Sequence, residues 1–211
     1  MTLIAVVGNK GGTGKTTLAL NLAAGLLARA ASTVLVDADP QQSAYQWRLI
    51  GGERPGLPAV IAAAHGLAET VAALGATHRH VVIDCPPSLQ AAQTDAALRL
   101  ADLALVPVQP SPMDLWATAH IARAIERVRE ENPRLRAVVV MTQVEPRTTL
   151  SRLLPDAVAE LELPVAATQV RRRSIHRHCV LEGRSLFQAG RRGADAAAEI
   201  TALIAEVLPD A

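Results

Sequence analysis

The chain has 211 residues, of which half are apolar and 19% are charged, and its formal net charge is +1. This composition is typical of a globular domain and excludes the low hydrophobicity and charge excess of disordered chains. Two distant cysteines, Cys85 and Cys179, exclude a disulfide framework, and no apolar run approaches the ~20 residues that span a bilayer. We therefore expect a single cytoplasmic domain over residues 1–211.

Short apolar runs alternate with longer helical patterns along the chain. Strands are predicted over residues 3–8, 33–38, 80–85, 103–108, 137–142 and 164–168, and helices near 15–30, 41–50, 67–75, 90–101, 113–131, 148–162 and 192–208, with a loop at 51–58. Most strands are continuously apolar, as is typical of strands that helices cover on both faces. The pattern predicts an α/β fold, a three-layer sandwich with a mostly parallel sheet, and a ligand at the carboxyl ends of the strands.

The first predicted strand runs into GNKGGTGKTT, at residues 8–17. Its glycines allow positive φ and bring backbone N–H groups close to phosphate oxygens, and the start of the following helix adds its dipole. Lys15 is placed to reach the β- and γ-phosphates, and the Thr16 hydroxyl to ligate Mg²⁺. The pattern G-x-x-x-x-G-K-[ST] requires glycine where this chain has Asn9. The predicted nucleotide contacts are Asn9, Lys10, Gly11, Gly12, Thr13, Gly14, Lys15, Thr16 and Thr17.

Lys10 and Lys15 are the only lysines in the chain, and every other basic side chain apart from histidine is arginine. The stretch KGGTGKTT resembles the deviant Walker A box of the ParA/MinD family of dimeric ATPases, which have the P-loop NTPase fold. The resemblance implies that Lys10 reaches across a nucleotide-sandwich homodimer to the partner's phosphates. It also implies ATP and Mg²⁺ as cofactors, and the chain lacks the N-K-x-D box that would indicate GTP. A solvated loop charge is the alternative interpretation of Lys10.

Two further predicted strands end in acidic segments, VLVDADPQQS and VVIDCPPS. A period of two places Asp37 and Asp39 on the same side of the chain. The resemblance implies that Asp39 polarises the attacking water, that Asp37 supports the metal, and that Asp84 holds Mg²⁺ through water. The predicted catalytic residues are thus Lys10, Lys15 and Asp39, and the predicted metal residues are Thr16, Asp37 and Asp84. Carboxylates at strand ends also serve commonly as helix caps, so that alternative stays open.

Two later stretches extend the resemblance over the chain: VPVQPSPMDLWA at 106–117 and LEGRSLFQ at 181–188. The best match is to the short plasmid-partition type, which has no N-terminal helix-turn-helix extension. This type implies a weak ATPase that a ParB-like or cargo-adaptor protein stimulates. Its cargo would be a plasmid, a chromosome region, a carboxysome or another large complex.

The main basic cluster begins with Arg171, Arg172 and Arg173, and Arg184, Arg191 and Arg192 follow it. The resemblance implies that the ATP-bound dimer binds duplex DNA without sequence preference and associates with the nucleoid. We therefore predict DNA contacts at Arg171, Arg172 and Arg173. A solvated charged face is the alternative.

Two other functions are known on the same fold. A MinD-like membrane-cycling ATPase requires a basic amphipathic C-terminal helix, but no lysine or arginine follows Arg192. A metal-cluster or reductase protein would require a symmetric cysteine pair at the dimer interface, and the two cysteines are isolated. The stretch HRHC at 176–179 also lacks zinc-ligand spacing. A membrane partner is therefore not expected.

Overall fold

The computed structural model describes residues 1–63, 65–146 and 162–209. Seven parallel strands form one sheet in the order β3-β2-β4-β1-β5-β6-β7. The strands are β1 Thr2–Val6, β2 Thr33–Asp37, β3 Ala59–Ala62, β4 His80–Asp84, β5 Leu103–Val108, β6 Arg136–Val144 and β7 Val170–Arg171. Four neighbouring strands, β2, β4, β1 and β5, are buried throughout or almost so, because helices cover both of their faces.

The helices are α1 Lys15–Ala28, α2 Ser43–Gly51, α3 Leu67–Leu74, α4 Ala92–Leu100, α5 Pro112–Arg129, α6 Ser174–Leu181 and α7 Ala194–Val207, with short 3₁₀ turns at Leu186–Gln188 and Gly190–Arg192. They form two layers with separate cores. The core on one face of the sheet is built from α3, α4 and α5, and the core on the other from α1, α2, α6 and α7. The predicted three-layer α/β sandwich with a parallel sheet is therefore confirmed.

The sixth predicted strand, at 164–168, is wrong in position. Val165 forms a single bridge with Val139, and the pairing strand β7 begins only at Val170. The intervening N–H groups of Ala167 and Thr168 donate instead to the Glu206 carboxylate, at 2.6 and 2.9 Å. A side chain on α7 therefore satisfies backbone donors that a sheet ladder would otherwise hold.

Strand β3 and helix α6 are not among the elements predicted from the sequence. Strand β3 has only four residues and lies at the edge of the sheet, and α6 buries only Cys179 completely. Neither segment therefore needs the strong apolar periodicity on which prediction depends. The helix predicted near 148–162 falls, apart from its last residue, outside the described residues.

Strand register brings the acidic strand ends together. Asp84 of β4 is the register partner of Val6 in β1 and of Asp37 in β2, so both carboxylates lie at the edge where β1 runs into the glycine-rich loop. The chemistry-bearing segments thus meet at the carboxyl ends of the strands, where open α/β sheets bind ligands. None of the helices described is both long and apolar enough to span a bilayer.

Candidate functional site

The loop between β1 and α1 depends on glycine at two positions. Gly12 has φ +81° and Gly14 has φ +94°, a left-handed backbone that residues with side chains rarely adopt. Gly14 is the N-cap of α1, and no side chain caps the backbone there. The N–H groups of the first turn and the positive end of the helix dipole therefore face the loop, an arrangement that binds anions.

Lys15 lies inside this loop. It is only 6% exposed, and its Nζ donates to the Lys10 carbonyl oxygen at 2.9 Å. Burial lowers the pKa of Lys15, while the carboxylates of Asp84 and Asp39 raise it. An ammonium held against a backbone carbonyl within an anion site can exchange that carbonyl for a phosphate oxygen. The structure thus places the Lys15 ammonium within the glycine-rich loop, and its contact with phosphates stays a prediction.

Asp84 is the least satisfied of the three predicted acids. It is 1% exposed, and neither of its carboxylate oxygens has a hydrogen-bond partner among the described residues. Burial raises its pKa to about 7, and the nearby Thr16 hydroxyl and the Lys15 ammonium offset only part of this rise. A buried carboxylate without a partner is costly, so the site fits a cation, and Mg²⁺ takes oxygen ligands. Thr16, the other predicted metal residue on this side, lies half-buried in the first turn of α1.

Asp37 and Asp39 hold the backbone that leads into α2. Asp37 is fully buried and accepts from the Tyr45 N–H at 2.9 Å and from the Asp39 N–H at 3.2 Å. Burial raises the pKa of Asp37, and these N–H donors lower it. Asp39 is half-buried and accepts from the Gln41 N–H at 2.9 Å. The helix-cap alternative therefore describes the contacts of Asp37, whereas Asp39 remains at the open edge of the site.

Lys10 is paired within its own chain. Its Nζ lies 2.9 Å from Oδ1 of Asp114, and the two side chains are 56% and 5% exposed. The other oxygen, Oδ2, accepts from the Ser111 hydroxyl at 2.7 Å. The family resemblance covers the segment that contains Asp114 but does not indicate this pair, because the partners are 104 residues apart.

The start of α5 also carries the most exposed apolar side chains near the loop. Met113 and Trp116, one helical turn apart, are 72% and 74% exposed, and they flank the buried Asp114. The other tryptophan, Trp47, is 2% exposed and donates from Nε1 to the Arg184 carbonyl oxygen at 3.2 Å. The two tryptophans thus differ completely in environment.

Two glutamines also contact the loop, and no motif in the sequence indicates either contact. Gln109 follows β5 and Gln143 lies near the end of β6, and both amides donate to the Gly12 carbonyl oxygen. They are 97 and 131 residues from Gly12. Polar residues at strand ends are common, and only the sheet order shows that these two reach the loop.

A cavity of about 230 Å³ adjoins the loop. Its wall includes Gly14 and Thr17 from the start of α1, Thr142 and Gln143 from β6, and His176 from α6. Both ring nitrogens of His176 are buried without a hydrogen-bond partner among the residues described. Burial lowers the pKa of His176. The cavity therefore offers polar groups to a ligand that also occupies the loop.

The three predicted DNA-contacting arginines line the same cavity. Arg172 pairs with Glu145 at 2.8 Å, Arg171 lies 3.7 Å from Glu199, and Arg173 lies 2.7 Å from the same carboxylate and 3.4 Å from Asp195. The sequence places these arginines far from the phosphate loop, but the fold brings them beside it. Each is already opposite a carboxylate, and Arg173 is the least exposed of the three.

The family model for the CobQ/CobB/MinD/ParA nucleotide binding domain matches residues 4–186. The chain belongs to this family. The match includes the glycine-rich loop, the two acidic strand ends and the segment of Asp114, so it covers the whole candidate site. The family resemblance found in the sequence is thereby confirmed.

Two curated relatives have names that refer to carboxysome distribution and to chromosome partitioning. It is 40% identical over 208 residues to Maintenance of carboxysome distribution protein A of Halothiobacillus neapolitanus, and this match covers 98% of the chain and 96% of the relative. It is 33% identical to Chromosome partitioning protein ParA of Caulobacter vibrioides, with 71% of the chain and 72% of the relative covered.

The fold also matches a solved enzyme structure. Cobyrinic acid a,c-diamide synthase of Mycobacterium smegmatis, with bound ATP analogue and magnesium, superposes with a TM-score of 0.78. The match covers 99% of this chain and 96% of the enzyme at 23% identity. An identity this low shows a shared fold and leaves the function to the site.

Proposed function

We propose that the chain is a Mg²⁺-dependent ATPase that dimerises on ATP and distributes a large cargo, with a carboxysome as the favoured one. The observation that carries the proposal is the meeting of Lys15 and the unpaired Asp84 at one glycine-rich loop. The 40% identity to a carboxysome distribution protein over nearly the full length of both chains supports the choice of cargo. A cargo-adaptor or ParB-like protein would stimulate hydrolysis.

Each group of residues in the site has a separate role in this proposal. The loop N–H groups, the start of α1 and Lys15 bind the phosphates, and the cavity beside Thr17 and His176 receives the base and ribose. Thr16 and Asp84 would hold Mg²⁺, directly and through water, and the ion when bound neutralises charge on the phosphates. Asp39 orients the attacking water at the open edge, and Asp37 keeps the Asp39 backbone in place.

Lys10 completes the site of a second copy. Its ammonium is more than half exposed, and Asp114 holds it in the single chain. We propose that on dimerisation Lys10 leaves Asp114 for the partner's phosphates, so that two sites are completed in trans. A compact ammonium on a flexible stem suits this exchange better than a planar guanidinium does.

The proposal is tested by light scattering with ATP and with ADP. Wild-type protein is expected to dimerise only with ATP, and Lys10→Ala to bind ATP but remain monomeric because its charge is missing from the partner's site. Asp39→Ala is expected to form a dimer that persists, because water is no longer oriented. Lys10→Arg, which keeps the charge, separates the effect of charge from that of shape.

A stable ATP-dependent dimer of Lys10→Ala contradicts the trans role, and rapid hydrolysis by Asp39→Ala assigns water activation to another residue. Melting of each variant without nucleotide is the control, because Lys10→Ala removes the ammonium that faces the buried Asp114.

We propose that the arginines between Arg171 and Arg192 form a surface that binds duplex DNA without sequence preference. Arg171, Arg172 and Arg173 must compete with their carboxylate partners, whereas Arg191 and Arg192 are exposed and form no ion pair with the described residues. The last two are therefore expected to contribute more per residue. Dimerisation doubles the surface and makes binding depend on ATP.

Fluorescence anisotropy on two unrelated duplexes across a salt series measures these contributions. Each lost phosphate contact is expected to reduce the slope of log affinity against log salt by about 0.9. Replacing Arg191 and Arg192 with alanine should therefore weaken binding on both duplexes alike, and replacing Arg171, Arg172 and Arg173 should have a smaller effect per residue. Equal binding with ATP and ADP would contradict the link to dimerisation.

A further inference from the structure

Two side chains from different strands converge on one carbonyl of the phosphate loop. Nε2 of Gln109 lies 2.8 Å from the Gly12 oxygen, and Nε2 of Gln143 lies 2.6 Å from the same atom. A carbonyl oxygen has two lone pairs and can accept both bonds. This carbonyl is therefore held from two directions.

The backbone at Gln143 is distorted in a way that aims its amide. Gln143 has φ +54°, a left-handed conformation that residues other than glycine, asparagine and aspartate seldom adopt. It lies where the register of β6 against β7 shifts, between Thr142 and Val144. Such irregularities re-aim a side chain, and strained backbone concentrates at functional sites.

Two other carbonyl oxygens of the loop also accept hydrogen bonds from side chains. The Thr142 hydroxyl donates to the Thr13 oxygen at 2.8 Å, and Lys15 donates to the Lys10 oxygen at 2.9 Å. The peptide bonds described are all trans, so each C=O points away from the N–H of the same peptide unit. Fixing the Gly12 and Thr13 carbonyls therefore directs the N–H groups of Thr13 and Gly14 to the opposite side of the loop.

We propose that Gln109 and Gln143 are positioning residues that hold the phosphate loop in its anion-binding conformation before a ligand arrives. The inference rests on the proposed nucleotide site and adds to it the means by which the loop is pre-organised. Pre-organisation reduces the ordering cost of binding, so the two amides raise affinity without touching the phosphates.

Gln143 also lines the cavity, so a direct contact with the base is the competing role. Tripolyphosphate separates the two roles because it fills a phosphate loop but has no base. A residue that positions the loop affects tripolyphosphate and ADP alike. A residue that reads the base affects ADP alone.

The experiment compares tripolyphosphate and ADP binding to Gln143→Asn, Gln109→Leu and wild-type protein by calorimetry. Asparagine tolerates the left-handed backbone better than glutamine does, but its amide is one methylene shorter and cannot reach Gly12. Each variant is expected to bind both ligands about three- to tenfold more weakly, as the loss of one hydrogen bond predicts. In steady-state hydrolysis KM for ATP should rise with little change in kcat, because bound phosphate restores the loop conformation.

Gln188→Leu is the matched control. It removes a similar bond, from Nε2 to the Pro55 carbonyl oxygen at 2.7 Å, together with the bond that Oε1 accepts from the Ser185 N–H at 3.1 Å; both lie away from the loop, so both affinities should stay unchanged. Equal affinities in wild type and the two loop variants, or a loss confined to ADP, would overturn the positioning role while leaving the nucleotide site in place. Failure of wild-type protein to bind either ligand would overturn the proposed function itself.

Discussion

Lys15→Ala is expected to abolish ATP binding. The buried ammonium is the positive charge inside the loop, and it lies among Asp84 and Asp39, whose carboxylates would repel phosphates without it. A hydrogen bond to a charged group contributes about 1.5–3 kcal/mol, and Lys15 can donate more than one to the β- and γ-phosphates. The affinity should therefore fall at least about a hundredfold. Isothermal titration with a non-hydrolysable ATP analogue measures the loss.

Two variants control for charge and for location. Lys15→Arg keeps the charge but places a rigid planar group in a space enclosed by loop backbone, so it should bind poorly as well. Lys10→Ala removes a positive charge from the same loop, yet it should retain most of its affinity because Lys10 faces outward. Affinity of Lys15→Ala within a few-fold of wild type would refute the assignment of this loop as the phosphate site.

Asp84→Asn is expected to stabilise the protein and stop hydrolysis. A carboxyl whose pKa is about 7 when folded and 3.8 when unfolded destabilises the folded state above pH 7 by at most about 4 kcal/mol. An asparagine carries no such charge, but its buried amide lacks partners, at a cost of about 1–3 kcal/mol. The net gain near pH 8 is about 2 kcal/mol, or about 4–8 °C in Tm.

The sign of the pH dependence follows from the raised pKa. Below pH 3.8 Asp84 is protonated in both the folded and the unfolded protein and does not destabilise the fold. As the pH rises through about 7, ionisation of the buried carboxyl lowers the free energy of unfolding of the wild type by the full amount. The advantage of Asp84→Asn should therefore disappear near pH 5.5, where roughly half of that cost is present. Thermal unfolding without nucleotide at the two pH values, beside a Mg²⁺-dependent ATPase assay, measures both effects.

Asp37→Asn is the matched control for this prediction. Asp37 is the register partner of Asp84 and is equally buried, but its oxygens accept two backbone N–H bonds. Replacing one oxygen with an NH₂ group removes an acceptor and so opposes the gain from removing a buried charge, and this variant should therefore gain less stability near pH 8 than Asp84→Asn does. If the two variants change stability alike, the unpaired state of Asp84 does not destabilise the protein.

The layers of the fold were predictable from sequence because burial dominates there. Five apolar runs, each covered on both faces, became the strands β1, β2, β4, β5 and β6, and the glycine-rich turn fixed the start of α1. Edge elements were less predictable. Strand β3 is short and half-exposed, and the segment before β7 gives its N–H groups to Glu206, a partner that no local pattern shows.

The candidate site divides in the same way. Lys15 and Asp84 were predictable because each lies in a local motif whose position in the sheet follows from strand order. The partners of the site were not, since Asp114 meets Lys10 across 104 residues and Gln143 meets Gly12 across 131. Such contacts depend on the distances between strand ends in the folded sheet, and local sequence patterns carry no information about those distances.

Because the two tryptophans lie in different environments, their intrinsic fluorescence can be told apart. Trp47 is sealed in the core and should emit at short wavelength, out of reach of iodide, whereas Trp116 is exposed and should emit at longer wavelength and be quenched. With one tyrosine besides them, the tryptophans dominate the ultraviolet emission. Trp116 lies two residues from Asp114, the carboxylate that holds Lys10. The long-wavelength emission of Trp116 should therefore change when Lys10 leaves Asp114, and no added label is needed to follow that change.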